Sequence, residues 1–237
     1  MENLIFIIGV IGNIISVLMF LSPVKTFLRI VKNRSTEEFE SLPYVCTLLN
    51  SSLWTYYGII KPESYLVATV NGFGVVAQLV YIALFLLFAP PRQRVRTAIM
   101  FAVVNVLFFG AALVVTYLLL NEDIRIDAIG LMSSAFNIIM YASPLAAMKS
   151  VVTSKSVEYM PFLLSFCFFL NGGVWSFYAF LQRDWFLGVP NGIGLALGTL
   201  QLVLYAMYTN YKPSKLQKAD FEDTSQNEPL ISASQQC

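Results

Sequence analysis

Seven apolar runs, each long enough to cross a lipid bilayer as a helix, account for most of this 237-residue chain. A bilayer core of about 30 Å requires about 20 helical residues at about 1.5 Å per residue. Since backbone groups in lipid must bond internally, and the runs do not alternate in polarity as β-barrel strands do, we expect helices. The runs cover residues about 5–24, 43–60, 66–88, 97–120, 128–147, 161–181 and 186–208.

The composition agrees with a chain whose solvent is lipid and excludes several function classes. Apolar residues make up 57% of the chain and charged residues 12%, against about 25% in soluble domains. A net charge of +1 gives no basic excess for nucleic acid. Histidine is absent, which removes Ser-His-Asp and Cys-His catalysis. Cys46, Cys167 and Cys237 form no CxxC pair, so no cysteine metal site is expected. Together, the missing histidine and the cysteine spacing predict a protein that is not an enzyme and has no metal or cofactor.

The distribution of charge between the runs predicts how the chain is oriented. All but three of the 15 Lys and Arg residues lie in the linkers after the first, third and fifth runs and in the tail. The exceptions are Lys61, Arg125 and Arg183. By the positive-inside rule the C-terminus is cytosolic and the N-terminus lies on the other side. The polar tail, residues 210–237, reads as a disordered cytosolic segment.

The two ends of the chain repeat each other at an offset of 121 residues. Trp occurs only three times, and two of the three superpose, which argues against chance. The first three runs (5–88) thus correspond to the last three (128–208), with 97–120 as a linker helix. Four helices separate the two starts, so the repeats are parallel, and we predict an all-α membrane protein of 3+1+3 helices. The matching pairs include Met19 with Met140, Pro23 with Pro144, Asn50 with Asn171, Trp54 with Trp175, Tyr57 with Tyr178 and, after one residue of slip, Asn71 with Asn191.

Polar residues inside the runs are neutral, as a site for an uncharged polar solute would require. Amides, which both donate and accept hydrogen bonds, and flat indole faces bind such a solute best. Asn50 and Trp54 fall near mid-membrane, and Asn171 and Trp175 occupy the matching places. Asn71 and Asn191 come from the third helix of each repeat. The alternative is that the Asn residues join helices and the Trp residues form interfacial belts.

Several motifs together resemble the SWEET sugar transporters of plants. They are Ser22-Pro23, the segment 155–161 and the paired Asn-Gly-x-Gly sequences at Asn71 and Asn191. The resemblance implies a bidirectional sugar carrier with the 3+1+3 fold, which often forms homotrimers. Residues 42–49, 137–141 and 189–192 look most like the vacuolar-membrane clade. Resemblance to that clade implies fructose and glucose, rather than sucrose, as substrates. It also implies the vacuolar membrane as the location of the protein, with the plasma membrane as the alternative.

The same resemblance assigns roles to individual positions. Asn71, Asn191, Trp54 and Trp175 would form the sugar pocket. Asn50 and Asn171 replace the smaller residues of many sucrose-type members, which predicts a pocket for a monosaccharide. The positions that would tune pocket size are Ser16, Met19, Asn50, Met140 and Asn171.

Gates are predicted at both ends of the bundle. Pro23, Pro43, Pro144 and Pro161 fall at the cytosolic ends of runs, where proline breaks a helix turn and can act as a hinge. They resemble the proline tetrad of the family, although single prolines commonly just mark helix ends. Tyr57 and Asp184 match the family's outer gate pair; an interfacial Tyr and a solvated loop Asp are the alternative.

The absence of charge inside the runs favours passive transport. No run has Asp, Glu, Lys or Arg in its interior, whereas proton-coupled pumps use buried carboxylates or histidines. We therefore predict a facilitative uniporter. The main alternative is a seven-helix receptor, which the short loops, the duplication and the lack of a loop cysteine pair disfavour.

Overall fold

A computed structural model describes residues 2–158 and 160–209 of the chain. The predicted disordered tail, residues 210–237, lies outside the described residues, as does Cys237. The described residues form helices joined by short turns, which confirms the all-α prediction. The helices are α1 (Glu2–Leu21), α2 (Val24–Asn33), α3 (Leu42–Ile60), α4 (Tyr65–Phe88), α5 (Pro91–Phe101), α6 (Phe109–Leu119), α7 (Glu122–Met140), α8 (Ala142–Ser154), α9 (Phe162–Gln182) and α10 (Trp185–Tyr208).

The seven predicted spans correspond to α1, α3, α4, the continuous α5–α6 helix, α7, α9 and α10. A π-helical stretch, Ala102–Phe108, joins α5 to α6. Within the described residues, six helical segments are long and apolar enough to cross a membrane, and α3 is not among them. Asn50, Trp54 and Tyr57 lower the hydropathy of α3. This helix packs against α4, α7 and the α5–α6 helix, so most of its surface meets protein rather than lipid.

The two halves of the bundle have the same internal arrangement. In the first, α4 packs against α1 and α3; in the second, α10 packs against α7 and α9. Contacts of α1 with α9 and of α3 with α7 join the halves in equivalent ways. Helix α4 begins at Tyr65 and α10 at Trp185, an offset of 120 residues, and each has 24 residues. The bundle is therefore a 3+1+3 arrangement in which matching residues of the halves face a common centre.

Three segments differ from the predicted spans. The linker after the first run is helical (α2), because Phe27 and Ile30 give it a buried apolar face. Helix α5 begins at Pro91 instead of residue 97, since proline fits the first turn of a helix. Helix α7 begins at Glu122 instead of 128, because the Asn121 side chain accepts a hydrogen bond from the Ile124 N–H at 3.0 Å.

The predicted fifth span, residues 128–147, is two helices in the structure. Helix α7 ends at Met140, and α8 begins at Ala142 after Tyr141. A comparable break separates α1 from α2 at Ser22-Pro23. Pro23, Pro43, Pro144 and Pro161 all lie immediately before a helix or within its first three residues, where the missing N–H costs no helical hydrogen bond.

Candidate functional site

A cavity of about 190 Å³ lies between the two halves of the bundle. Its lining combines asparagine amides, indole and phenyl rings and aliphatic side chains, and none of the lining residues is charged. This volume is below the roughly 300–1,000 Å³ typical of sites for drug-sized ligands, so the cavity suits a small neutral molecule. The lining residues are Ser16, Met19, Phe20, Asn50, Trp54, Val67, Val70, Asn71, Asn137, Tyr141, Phe168, Asn171, Gly172, Trp175, Leu187, Asn191 and Gly194.

The structure brings eight of the nine predicted sugar-site residues to this cavity. The ninth, Met140, is partly buried at the last position of α7 and does not line the cavity, although its counterpart Met19 does. The break between α7 and α8 follows directly after Met140, and Tyr141 lines the cavity instead. The eight that line it are Ser16, Met19, Asn50, Trp54, Asn71, Asn171, Trp175 and Asn191.

Asn71 and Asn191 are held in matching ways by α4 and α10. The Asn71 Nδ2 donates to the Val67 carbonyl at 2.9 Å, and the Asn191 Nδ2 donates to the Leu187 carbonyl at 2.8 Å. Each bond uses one N–H of the amide on its own helix. The Oδ1 and the other N–H of each side chain are thus available to a ligand, and the anchoring bond fixes where the amide sits.

Trp175, Ser16 and Asn171 form one hydrogen-bond chain on the cavity wall. The Trp175 Nε1 donates to the Ser16 Oγ at 2.9 Å, and this hydroxyl donates to the Asn171 Oδ1 at 2.6 Å. Gly12 allows the indole to approach α1, because a Cβ there would lie 2.9 Å from the Trp175 ring. The chain links α9 of the second half to α1 of the first.

Asn50, Asn137 and Tyr141 form a second chain, which links α3 of the first half to α7 and α10 of the second. The Asn50 Nδ2 donates to the Asn137 Oδ1, and the Asn137 Nδ2 donates to the Tyr141 hydroxyl, both at 3.3 Å. Tyr141 in turn donates to the Pro190 carbonyl at 2.5 Å. The Asn50 Oδ1 is buried and has no hydrogen-bond partner among the described residues. A buried acceptor without a partner is costly, so this atom is the unsatisfied end of the second chain.

The cavity also contains residues that were not predicted to line it. Asn137 stands 121 residues after Ser16, and Tyr141 stands 121 residues after Phe20. Applying the repeat offset to Ser16 would have identified Asn137. Phe168 and the aliphatic residues Val67, Val70 and Leu187 had no comparable signal, because apolar side chains are everywhere in such a sequence.

Aromatic and charged side chains form a hydrogen-bonded cluster at one end of the bundle. The Tyr57 hydroxyl lies 3.0 Å from both carboxylate oxygens of Asp184 and donates to that carboxylate. Lys61 donates to the Tyr57 hydroxyl at 2.9 Å, and its Nζ lies 2.6 Å from Asp184. Only 2% of the Asp184 side chain is exposed. Lys61 was predicted only as a loop charge; the structure makes it the third member of this cluster.

The opposite end is the one at which the four prolines lie. Pro43 and Pro161 are exposed, and Pro23 and Pro144 are partly buried. Tyr57 and Tyr178 at the other end are almost completely buried. The two ends of the bundle therefore differ in composition: one has the buried cluster of Tyr57, Lys61 and Asp184, and the other has the four prolines.

The chain matches known proteins along most of its length. Residues 6–93 and 127–213 each match the profile of a family described as "Sugar efflux transporter for intercellular exchange". The Arabidopsis thaliana protein "Bidirectional sugar transporter SWEET17" is 56% identical over 236 residues, covering 96% of this chain and 98% of that protein. SWEET16 of the same plant is 51% identical over 232 residues, covering 98% and 100%. A eukaryotic SWEET transporter solved at 3.7 Å superposes with a TM-score of 0.84 at 42% identity, covering 89% of this chain and 99% of that one.

Proposed function

Because this chain belongs to the SWEET family of sugar transporters, we propose that it carries a monosaccharide across a membrane as a facilitative, bidirectional uniporter. Membership makes it a multi-pass membrane transporter and not an enzyme. The observation that carries the proposal is the uncharged cavity between the halves, lined by five asparagines from α3, α4, α7, α9 and α10 and by two tryptophans.

The size and lining of the cavity support fructose or glucose as substrate. Asn50 and Asn171 extend into a space of about 190 Å³ and narrow it from opposite walls. Asn71 and Asn191 present amide groups that match adjacent sugar hydroxyls, and Trp54 and Trp175 offer flat faces to C–H bonds of the ring. A disaccharide would have to displace the side chains of Asn50 and Asn171.

The difference between the two ends supports alternating access. We assign the cluster of Tyr57 and Asp184 as the outer gate and Pro23, Pro43, Pro144 and Pro161 as hinges of the cytosolic gate. The prolines lie next to helix breaks, where bending does not break a regular ladder of hydrogen bonds. During transport, the outer gate and the cytosolic gate would then open in turn, so that the sugar reaches one side of the membrane at a time.

The lining supports transport without ion coupling. It contains no Asp, Glu, Lys, Arg or Cys, and the chain has no His, so no lining residue changes charge near neutral pH. The sugar gradient alone then sets the direction of flux.

Uptake of radiolabelled hexose by proteoliposomes containing the purified protein tests the proposal. We expect saturable uptake, exchange in both directions and no effect of a protonophore. Asn71→Ala combined with Asn191→Ala should abolish uptake. Gly72→Ala combined with Gly192→Ala is the matched control, since the added Cβ atoms meet nothing within 4 Å. Absence of hexose flux in the parent, or accumulation against a gradient, would refute the uniporter.

We place the protein in the vacuolar membrane with its C-terminus in the cytosol. Support comes from the vacuolar-clade motifs and from the excess of Lys and Arg in the linkers on the proline side. A fluorescent fusion expressed in plant cells, with protease protection of the tag, tests both assignments; labelling of the plasma membrane would favour the alternative.

Assembly into a homotrimer is the remaining part of the proposal, and it rests on resemblance to the family. Chemical crosslinking in native membranes should give a ladder that stops at three copies. A ladder that stops at one or two copies would contradict it.

A further inference from the structure

Two hydrogen-bond chains end in the cavity, and they point in opposite directions. A backbone carbonyl only accepts and an indole N–H only donates. The second chain begins at the Pro190 carbonyl and the first at the Trp175 Nε1. The Pro190 carbonyl therefore determines the direction of every bond in the second chain, whereas in the first chain the Ser16 hydroxyl accepts from Trp175 and donates to Asn171.

The direction of the second chain follows from Pro190. Tyr141 must donate its single O–H to the Pro190 carbonyl, so its oxygen is left to accept from Asn137. Asn137 must then turn its Nδ2 to Tyr141 and its Oδ1 to Asn50. Asn50 donates its Nδ2 to Asn137, which leaves the Asn50 Oδ1 buried and unpartnered, as the acceptor that a small shift of this side chain would offer to a ligand.

The direction of the first chain is the reverse. Trp175 donates a hydrogen bond to Ser16, and the Ser16 hydroxyl donates one to the Asn171 Oδ1. With its Oδ1 used as an acceptor, Asn171 has its Nδ2 left for a ligand. Asn50 and Asn171 occupy matching positions in the two halves, yet one offers an acceptor and the other offers donors.

We propose that Tyr141 is a positioning residue that sets the hydrogen-bond direction of Asn137 and Asn50, and that the resulting acceptor at Asn50 and donors at Asn171 hold the hexose in one orientation. This inference rests on the proposed function. A cavity with two equal walls would accept a sugar equally well in two orientations related by the axis of the bundle. Because Asn50 offers an acceptor and Asn171 offers donors, only one of the two sugar orientations would satisfy both residues.

The surroundings of Tyr141 fit this role. The residue is 8% exposed, and Gly194 makes room for its hydroxyl, because a Cβ at Gly194 would lie 2.7 Å from that oxygen. Phe20 stands at the matching position of the first half and has no hydroxyl, so only the second half has this contact. The difference between the walls is therefore built into the two repeats.

Deoxyfluoro hexoses test the proposal, because fluorine in place of a hydroxyl cannot donate a hydrogen bond. For the parent protein we expect one ring position at which fluorine raises KM by about tenfold, since the Asn50 Oδ1 would stay unpaired. In Tyr141→Phe the Asn137 and Asn50 amides are free to turn over, and the penalty at that position should fall below about twofold. Tyr81→Phe is the matched control: it removes a Tyr hydroxyl that donates to the Phe20 carbonyl at 2.9 Å, and Tyr81 does not line the cavity.

Two further variants keep the test decisive if Tyr141→Phe folds poorly. Asn50→Ala should lose the fluorine penalty at that ring position, whereas Asn171→Ala should keep it. Loss of the penalty in Asn50→Ala and Tyr141→Phe, with retention in Tyr81→Phe and Asn171→Ala, supports the proposal. Equal penalties in all variants, or no penalty at any position in a parent that transports hexose, overturn it. A parent that transports no hexose refutes the proposed function itself.

Discussion

The hydroxyl of Tyr57 lies 3.0 Å from each carboxylate oxygen of Asp184, across the junction between the two halves. The same carboxylate also accepts from the Leu187 N–H at 3.0 Å and so caps the start of α10. Asp184 therefore makes two separable sets of contacts: it binds Tyr57 and Lys61, and it begins the helix that carries Asn191.

Replacing Asp184 by Asn should separate these contacts. Asn caps a helix about as well as Asp, so the start of α10 should be retained. The ion pair with Lys61 is lost. If this destabilises the state in which Tyr57 contacts residue 184 by about 1–2 kcal/mol, the population of that state relative to the open one falls by about 5–30-fold. We expect a several-fold lower rate of hexose exchange in proteoliposomes. Asp184→Ala, which loses the cap as well, should in addition lower the melting temperature; parent-like exchange by Asp184→Asn would show that the contact is not a gate.

Removal of the Ser134 hydroxyl should destabilise the bundle. Pro190 lies inside α10 and has no N–H, so the Phe186 carbonyl lacks its helical donor. The Ser134 hydroxyl lies 2.5 Å from that carbonyl oxygen, with the Gly130 carbonyl at 2.8 Å as its alternative acceptor. Ser134→Ala should cost about 1–3 kcal/mol, measured as a lower melting temperature in detergent.

Ser133→Ala is the control for that measurement. Ser133 is also completely buried, but its hydroxyl donates only to the Ile129 carbonyl, which already has a partner within α7. We expect an effect below about 0.5 kcal/mol. Equal losses in the two variants would show that burial alone, and not the proline-freed carbonyl, explains the result.

The two glycines of the second Asn-Gly-x-Gly motif should respond differently to alanine. A Cβ at Gly194 would meet the Tyr141 hydroxyl at 2.7 Å, so Gly194→Ala should cost about 1–3 kcal/mol and weaken hexose binding. A Cβ at Gly192 meets nothing within 4 Å, so Gly192→Ala should be neutral or stabilise the helix by up to about 1 kcal/mol. Melting temperature and KM, measured on both variants, check the prediction; a reversal of the order would contradict the packing of Tyr141 on α10.

Hexose flux should be nearly constant between about pH 5 and pH 7.5. No residue lining the cavity is Asp, Glu, Lys, Arg, His or Cys, so protonation in this range changes no lining charge. Equilibrium exchange with equal pH on both sides of the vesicle measures this directly. A steep titration in that window, retained in Asp184→Asn, would point to a proton site that the cavity lining does not contain.

Much of the architecture could be predicted because the lipid environment determines which segments of the chain form membrane-spanning helices. Runs of apolar residues partition into lipid wherever they fold, so seven spans followed from their lengths alone. The 121-residue offset placed Asn50, Asn171, Trp54 and Trp175 at matching depths, and it would also have identified Asn137 from Ser16. Helix starts were predicted less well. The linker after the first run is helical (α2) because it has an amphipathic face, and α5 begins before the apolar run because Pro91 fits the first turn of a helix.

The amino-acid sequence by itself determined the class of the protein, the duplication and the neutral character of its site, because these follow from residue type and spacing. Only the tertiary structure decided that Tyr141 replaces Met140 at the cavity and that Lys61 joins Tyr57 and Asp184. It also decided that Asn50 is hydrogen-bonded through its Nδ2 and Asn171 through its Oδ1. Hydrogen bonds join groups that are more than 100 residues apart in the chain, as Trp175 and Ser16 are. Their direction depends on which donor-only or acceptor-only group packing brings to the end of each chain, and no local pattern encodes that.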